Sequence, residues 1–248
     1  MRLVRSNRRI KKGLDWFRRP ELRLLISVAA ISAVIWLFLS LADEVSENET
    51  MAVDEMILLA LRNPGDPSDP IGPGWMQEMG RDFTALGSVG VLSLITLGTC
   101  IYLLLLNRKR AALFTLGAIG GGWLVSNLLK LGFNRPRPDL FPHDFILYTA
   151  SFPSGHALMS AVTYLTLAAL LTRTVSTWRL RSFFLLSALF LTLLVGASRV
   201  YLGVHWPTDV VAGWMVGAAW AGLCWLVERW LQQRGIVEPT ADSDEDGP

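Results

Sequence analysis

The sequence predicts an all-α polytopic membrane protein, a six-transmembrane-helix bundle with both termini cytoplasmic. Three observations predict it. Apolar residues make up 52% of the 248-residue chain and charged residues only 18%, below the roughly 25% usual for soluble domains. Mean hydropathy is +0.39. The apolar residues also gather into six runs, at 24–41, 89–106, 111–129, 156–172, 180–197 and 210–226. The first three are each about one bilayer core long as helices; the others are shorter or dotted with Ser, Thr and Gly.

Charge sets the expected sidedness. The net charge of +2 hides an asymmetry: residues 1–23 hold nine Arg or Lys against Asp15 and Glu21, whereas residues 43–84 hold ten Asp or Glu against Arg62 and Arg81. Arg108, Lys109 and Arg110 follow the second run, and Arg173, Arg179 and Arg181 follow the fourth. Cytoplasmic loops carry the excess of Lys and Arg. The connections at 43–84, 130–156 and 198–209 are therefore expected outside. The basic clusters read as topology signals and contacts with membrane lipids, with no nucleic-acid partner.

In chain order, 1–23 (MRLVRSNRRIKKGLDWFRRPELR) is a basic cytoplasmic segment with Trp16 and Phe17 as interfacial anchors. The first run is longer than the 7–15 residue core of a signal peptide and reads as a retained span. The six-helix membrane domain covers 24–231, with 43–84 as its outer loop. Within that loop, 49–62 (ETMAVDEMILLALR) forms about three helical turns, too short to span, with Met51, Ile57, Leu58 and Leu61 set to pack on the bundle. Then NPGDPSDPIGPG, with Pro64, Pro67, Pro70 and Pro73, cannot be regular helix. Residues 232–248 form a tail, acidic and without large apolar residues from Glu238 on (EPTADSDEDGP), which predicts disorder. Cys100 and Cys224 read as packed thiols, since no CxxC or Cys/His metal spacing occurs. The Asn48-Glu49-Thr50 sequon is of a kind that arises often by chance.

Polar chemistry gathers in three stretches that span counting brings to the outer face. The third run ends at Lys130, with LGFNRPRP placing Arg137 seven residues on; the fourth begins at Pro153-Ser154-Gly155-His156. The fifth ends at Ser198-Arg199, and the sixth begins around His205-Trp206-Pro207-Thr208-Asp209. Lys130, Arg137 and Arg199 supply three cations, and guanidinium grips phosphate oxygens bidentately. Ser154 is a good N-cap whose following amides would point at an anion, and Gly155 lets phosphate approach the backbone. Pro207 suits a first helical turn. The spacing from His205 to Asp209 lets the carboxylate accept one ring N–H, leaving the other nitrogen as a nucleophile. His156 is then the imidazole that can protonate a leaving oxygen.

Each piece alone has a plainer reading. A lone Lys or Arg at a helix end is more often an interfacial anchor, Ser-Gly an ordinary helix start, and His with Asp a structural hydrogen bond. Their convergence on one face favours a site. His143, beside Asp144 in the same outer loop, reads either as a solvated residue or as a contact that gates substrate.

Lys130-x6-Arg137-Pro138, Pro153-Ser154-Gly155-His156 and Ser198-Arg199-x5-His205-x3-Asp209 together resemble the three-part signature of the type 2 phosphatidic acid phosphatase (PAP2) superfamily, over roughly residues 50–231. The resemblance implies a membrane-bound lipid phosphate phosphatase without metal or other cofactor. It assigns phosphate binding to Lys130, Arg137 and Arg199 with Ser154 and Gly155. It makes His205 the nucleophile, Asp209 its orienting partner and His156 the general acid. The family spacing selects Arg137 over the neighbouring Arg135-Pro136, which leaves Arg135 as a headgroup contact or a support behind the site. The expected substrate is undecaprenyl or another prenyl diphosphate, with phosphatidylglycerophosphate, phosphatidate and lipid A phosphates as alternatives. The expected setting is a bacterial inner membrane with the site facing the periplasm. A noncatalytic lipid-binding or lipid-moving protein is the rival, and a complete His/His/Asp set argues against it. Vanadate-dependent haloperoxidation shares the signature but does not suit six spans and a lipid-facing site.

Overall fold

The computed structural model describes residues 20–139 and 150–237. The basic segment up to residue 19, His143 with Asp144, and the tail from Glu238 lie outside the described residues. Among those described, eight helices and one two-stranded hairpin form. Helix α1 is Pro20–Ser46, α2 Met51–Ala60, α3 Gly74–Ala85, α4 Val89–Leu105 and α5 Lys109–Gly132. Helix α6 is Gly155–Thr172, α7 Trp178–Tyr201 and α8 Pro207–Gln233. Strands β1 (Arg62–Asn63) and β2 (Asp66–Pro70) pair antiparallel in the proline-rich stretch.

Five helices, α1, α5, α6, α7 and α8, are long and apolar enough to cross a bilayer alone. The sixth expected span is α4, only 17 residues long. It follows α3 after a short break with a 46° bend, and the two qualify as one broken span. Large apolar side chains cover the outside: Leu94, Leu105, Leu113 and Leu131 are each more than two-thirds exposed. Such a surface is stable only when lipid covers it. The chain is an integral membrane protein.

The connection over residues 43–84 departs from expectation in one respect. Helix α2 stands where three turns were predicted, but a second helix, α3, follows the hairpin. Its sequence, GWMQEMGRDFTA, opens just after Pro73, whose fixed φ suits the residue before a helix. It packs against α7, and Gly80 lets Tyr201 approach, since a Cβ there would sit 3.1 Å from the Tyr201 ring. The face of α2 that turns inward carries Asp54 and Leu58, both without exposed surface, while Ile57 faces outward.

Helix α6 is the axle of the bundle. It packs on α8, α7, α5 and α4, and Ala157, Leu158, Ala161 and Val162 are buried throughout. Close approach needs small residues on the partner. A Cβ at Gly213 of α8 would lie 2.6 Å from the Ser154 carbonyl oxygen, and one at Gly217 would lie 2.6 Å from that of Leu158. At the other end of the bundle, Arg173 and Glu228 tie α6 to α8 with a 2.9 Å ion pair. Just before α6, Phe152 is buried against Phe38 of α1 and edge-on to Phe133, at ring separations of 6.1 and 4.9 Å. These aromatics fix the entry of the chain into α6.

This packing makes a prediction. Gly213→Ala forces α8 away from the start of α6, an overpacking that costs about 1–3 kcal/mol. It should lower the midpoint of thermal unfolding in detergent and depress turnover. Gly98→Ala, where a Cβ meets nothing within 4 Å, should be neutral or slightly stabilising because alanine favours helix. Equal behaviour of the two variants would refute a packing role for Gly213.

Candidate active site

Four helix ends and one extended segment converge at one end of the bundle. The last turns of α5 and α7 bring Lys130 and Arg199, and the first turn of α6 brings Gly155 and His156. The extended segment after α5 brings Arg137, and the turn between α7 and α8 brings His205. All six line one cavity of about 720 Å³. The structure thus gathers Lys130, Arg137, Arg199, His156 and His205 in one place. Ser154 and Asp209 sit immediately behind the cavity wall, without exposed surface.

The histidine geometry fixes its tautomer. Arg137 Nη1 donates to His205 Nε2 at 3.1 Å; guanidinium has no acceptor, so Nε2 presents its lone pair. The proton is therefore on Nδ1, which faces Asp209 Oδ2 at 3.3 Å. His205 lines the cavity, and Nε2 is the ring nitrogen that keeps its lone pair. Burial is the largest influence on His205 and pushes its ring down to about 3, with Arg137 and Arg199 acting the same way and Asp209 opposing. The imidazole is neutral at ordinary pH, as a nucleophile requires.

Asp209 is held from every side. Its Oδ2 accepts the Trp206 N–H at 3.0 Å and the Ser151 hydroxyl. Its Oδ1 accepts Arg135 Nη1 at 2.8 Å. The Trp206 contact is half of a capping box, in which an acid at the third helical position returns to the N-cap amide. Its own backbone carbonyl accepts the Ser154 N–H at 2.9 Å, joining α8 to the start of α6.

Arg135 settles one open alternative. It is buried and points away from the cavity, bonding Asp54 Oδ2 at 2.7 Å and Asp209 on its other nitrogen. Its guanidinium lies 5.5 Å from the Trp206 ring centroid, so it supports the site from behind and does not meet headgroups. Ser154 takes the N-cap position of α6, but its hydroxyl makes no capping bond and has no hydrogen-bond partner among the described residues. The first intrahelical bond is Leu158 N–H to Ser154 C=O, leaving the amides of residues 155–157 ahead of it. Gly155 borders Lys130, whose Nζ would be in ordinary contact, at 3.4 Å, with a Cβ at that position.

Several supports escape sequence reasoning. Ser151 has no motif of its own, yet its Oγ lies 3.3 Å from His205 Nδ1 and donates to Asp209. Thr84, at the end of α3, accepts from Arg199 Nη1 at 3.0 Å. Gly87 admits Val195 beside His156, since a Cβ there would lie 2.3 Å from Val195 Cγ1 and 3.3 Å from the His156 carbonyl oxygen. The duplicated Arg-Pro was the one readable signal, pointing to Arg135.

Electrostatically the cavity is one-sided. Neither Lys130 nor Arg199 has a carboxylate partner among the described residues. Below the cations, the cavity continues between α4 and α5 along Leu92, Leu97, Leu116, Ile119 and Trp123. A polycationic end with an apolar continuation matches a lipid that carries phosphate.

The comparisons with known proteins agree. The model of the PAP2 superfamily matches residues 110–233. Phosphatidylglycerophosphatase B of Bacillus subtilis is 30% identical over 188 residues, covering 73% of this chain and 85% of that protein. An undecaprenyl-diphosphatase of Sulfolobus acidocaldarius is 46% identical over 68 residues, covering 27% of this chain and 29% of its own. The crystal structure of a transmembrane PAP2-type phosphatidylglycerolphosphate phosphatase from Bacillus subtilis superposes with a TM-score of 0.71 at 27% identity, covering 81% of this chain and 96% of the other. The chain belongs to the PAP2 superfamily and is a membrane lipid phosphatase of that type.

Proposed function

We propose that the enzyme hydrolyses its lipid phosphate through a phosphohistidine on His205. The observation that carries this reading is the pair of contacts on one ring, Nδ1 to Asp209 and Nε2 to Arg137. An anionic phosphate group displaces Nε2 from Arg137 and takes the guanidinium for itself, together with Lys130, Arg199 and the first amides of α6. The Nε2 lone pair attacks phosphorus, and the phosphorus–oxygen bond to the lipid breaks. The departing oxygen takes a proton from protonated His156. Water then attacks phosphorus, gives its proton back to His156, and breaks the phosphorus–nitrogen bond to release phosphate. The three cations offset equatorial charge in both steps, so positioning and electrostatics carry the catalysis. The donor set favours metal-independent chemistry. Asp209 is the one carboxylate in the motifs, and its oxygens are already taken by Arg135, Ser151, Trp206 and His205.

The substrate reading favoured by the fuller match is phosphatidylglycerophosphate, because the relative so named is matched over 85% of its length. Prenyl diphosphate, the expectation from the sequence, is the second reading, supported by 46% identity over a shorter segment. The setting is a bacterial inner membrane, with both termini cytoplasmic and the site facing the periplasm. The charge asymmetry between residues 1–23 and 43–84 supports that orientation. Phosphate release from a panel of glycerophospho-, prenyl and lipid A substrates by the purified enzyme ranks these substrates directly.

Two experiments test the remaining assignments. His205→Ala should abolish turnover on every substrate, whereas His156→Ala should depend on the leaving group. The latter should lose about 10²- to 10⁴-fold on lipid phosphates, the usual worth of a general acid, and much less on an activated aryl phosphate. Rapid quenching should trap acid-labile phosphoprotein in the wild type and His156→Ala but not in His205→Ala; near-normal turnover in His205→Ala would overturn the roles. For sidedness, Asp139→Cys in a chain carrying Cys100→Ser and Cys224→Ser should react with an impermeant thiol reagent in intact spheroplasts. Labelling that appears only after the membrane is opened would reverse the orientation.

A further inference from the structure

Helix α2 reaches the site through Asp54, beside its N-cap Thr50, whose Oγ1 accepts from Arg135 Nη2 at 3.3 Å. Of the ten acidic residues at 43–84, Asp54 is the one that is buried, and it has no exposed surface. Its Oδ1 accepts the Thr208 N–H at 3.0 Å, and its Oδ2 accepts the Thr208 hydroxyl at 2.6 Å and Arg135 Nη2 at 2.7 Å. Arg135 Nη1 in turn donates to Asp209 Oδ1 and to Thr208 Oγ1, both at 2.8 Å. The guanidinium therefore lies between two carboxylates, one on α2 and one on α8.

The charges of this trio decide what His205 meets. Arg135 alone would neutralise Asp209, leaving the ring beside a carboxylate whose negative charge is already compensated. Asp54 compensates Arg135 instead, so Asp54, Arg135 and Asp209 carry one net negative charge. The face of that charge turned toward the cavity is Asp209 Oδ2, against His205 Nδ1–H. A carboxylate behind Nδ1–H stabilises the positive charge that the imidazole gains as Nε2 bonds to phosphorus. We infer that Asp54 is a positioning residue of the hydrolytic centre, one that acts through Arg135 to keep Asp209 an effective anion for His205. The inference rests on the preceding reading of His205 as nucleophile. It gives the outer connection a catalytic duty beyond covering the bundle.

The test compares four variants purified in detergent, each checked for a monodisperse size-exclusion profile. Asp54→Asn keeps the shape and removes the charge. It should lower kcat by about 10- to 100-fold, the effect usual for the outer partner of a functional imidazole, with KM within about threefold of wild type because no cavity cation is touched. Adding Arg135→Gln to Asp54→Asn returns the net charge to that of Asp209 alone, and should recover kcat at least about tenfold over Asp54→Asn. A merely structural role predicts the opposite, since the double variant loses two buried groups where the single loses one. Thr208→Val keeps all three charges and should stay within about threefold of wild-type kcat. Wild-type kcat in Asp54→Asn, no recovery in the double variant, or a loss in Thr208→Val as large as in Asp54→Asn would each overturn the inference. If Asp54→Asn does not fold, the double variant carries the test alone. Folded and within about tenfold of wild type it supports the inference, and folded below about a hundredth it overturns it. His205→Ala, measured alongside, separates the two failures. Activity there sinks the nucleophile reading, whereas an inactive His205→Ala beside a fully active Asp54→Asn sinks the role of Asp54 alone.

Discussion

A carboxylate with no exposed surface, Asp209, is the constraint around which the catalytic end is built. An isolated buried charge costs several kcal/mol, and removing one partner of a buried pair commonly costs about 3–5 kcal/mol. Asp209 escapes that penalty only while Arg135, Ser151, the Trp206 amide and His205 all face it. Those donors lie on three separate pieces of chain, with the Trp206 amide and His205 sharing one turn. Satisfying the carboxylate therefore positions the segment after α5, the segment before α6 and the turn before α8 in one step. Its backbone carbonyl adds the Ser154 amide, so the anion-facing start of α6 is set by the same residue.

The charges divide into a forward and a rear group. Lys130, Arg137 and Arg199 line the cavity, whereas Arg135 stands behind Asp209 with Asp54. Sequence proximity does not separate Arg135 from Arg137, but burial and direction do. A cation turned into the cavity has substrate to neutralise it, while one turned into the protein needs a carboxylate of its own. That requirement explains why a helix of the 43–84 connection, 81 residues earlier in the chain than Arg135, carries a fully buried acid.

Much of this was legible in the sequence, for physical reasons. Apolar runs of bilayer length announce spans because lipid leaves a chain few alternatives. The His205 and Asp209 spacing could be read because an acid in the first turn of a helix faces back toward the residues just before it. What could not be read depends on contacts between remote segments. Asp54 looks like any acid among ten in an exterior stretch, and Ser151 like any small loop residue. Helix α3 was hidden because its composition is mixed and prolines precede it; its packing on α7 joins segments remote in sequence. For Arg135 the sequence offered two roles, and the choice required knowing which way the guanidinium points.

The position of the site at the end of α6 follows from small residues as much as from charged ones. Gly213 and Gly217 allow α8 to touch the backbone of α6, and Gly122 of α5 admits Val162, where a Cβ would come within 2.8 Å. With its neighbours drawn this close, the first turn of α6 is enclosed by the ends of α5, α7 and α8, the elements that carry the cations and the imidazole–carboxylate pair. On the α4 side the packing is looser, and the cavity runs down between α4 and α5 past Leu116 and Trp123. A tight side and an open side suit a lipid phosphatase physically. The tight side holds Asp209 dry and the His205 ring in one tautomer, where electrostatic stabilisation is strongest. The open side leaves hydrocarbon contact for the chains of a substrate that does not have to leave the bilayer.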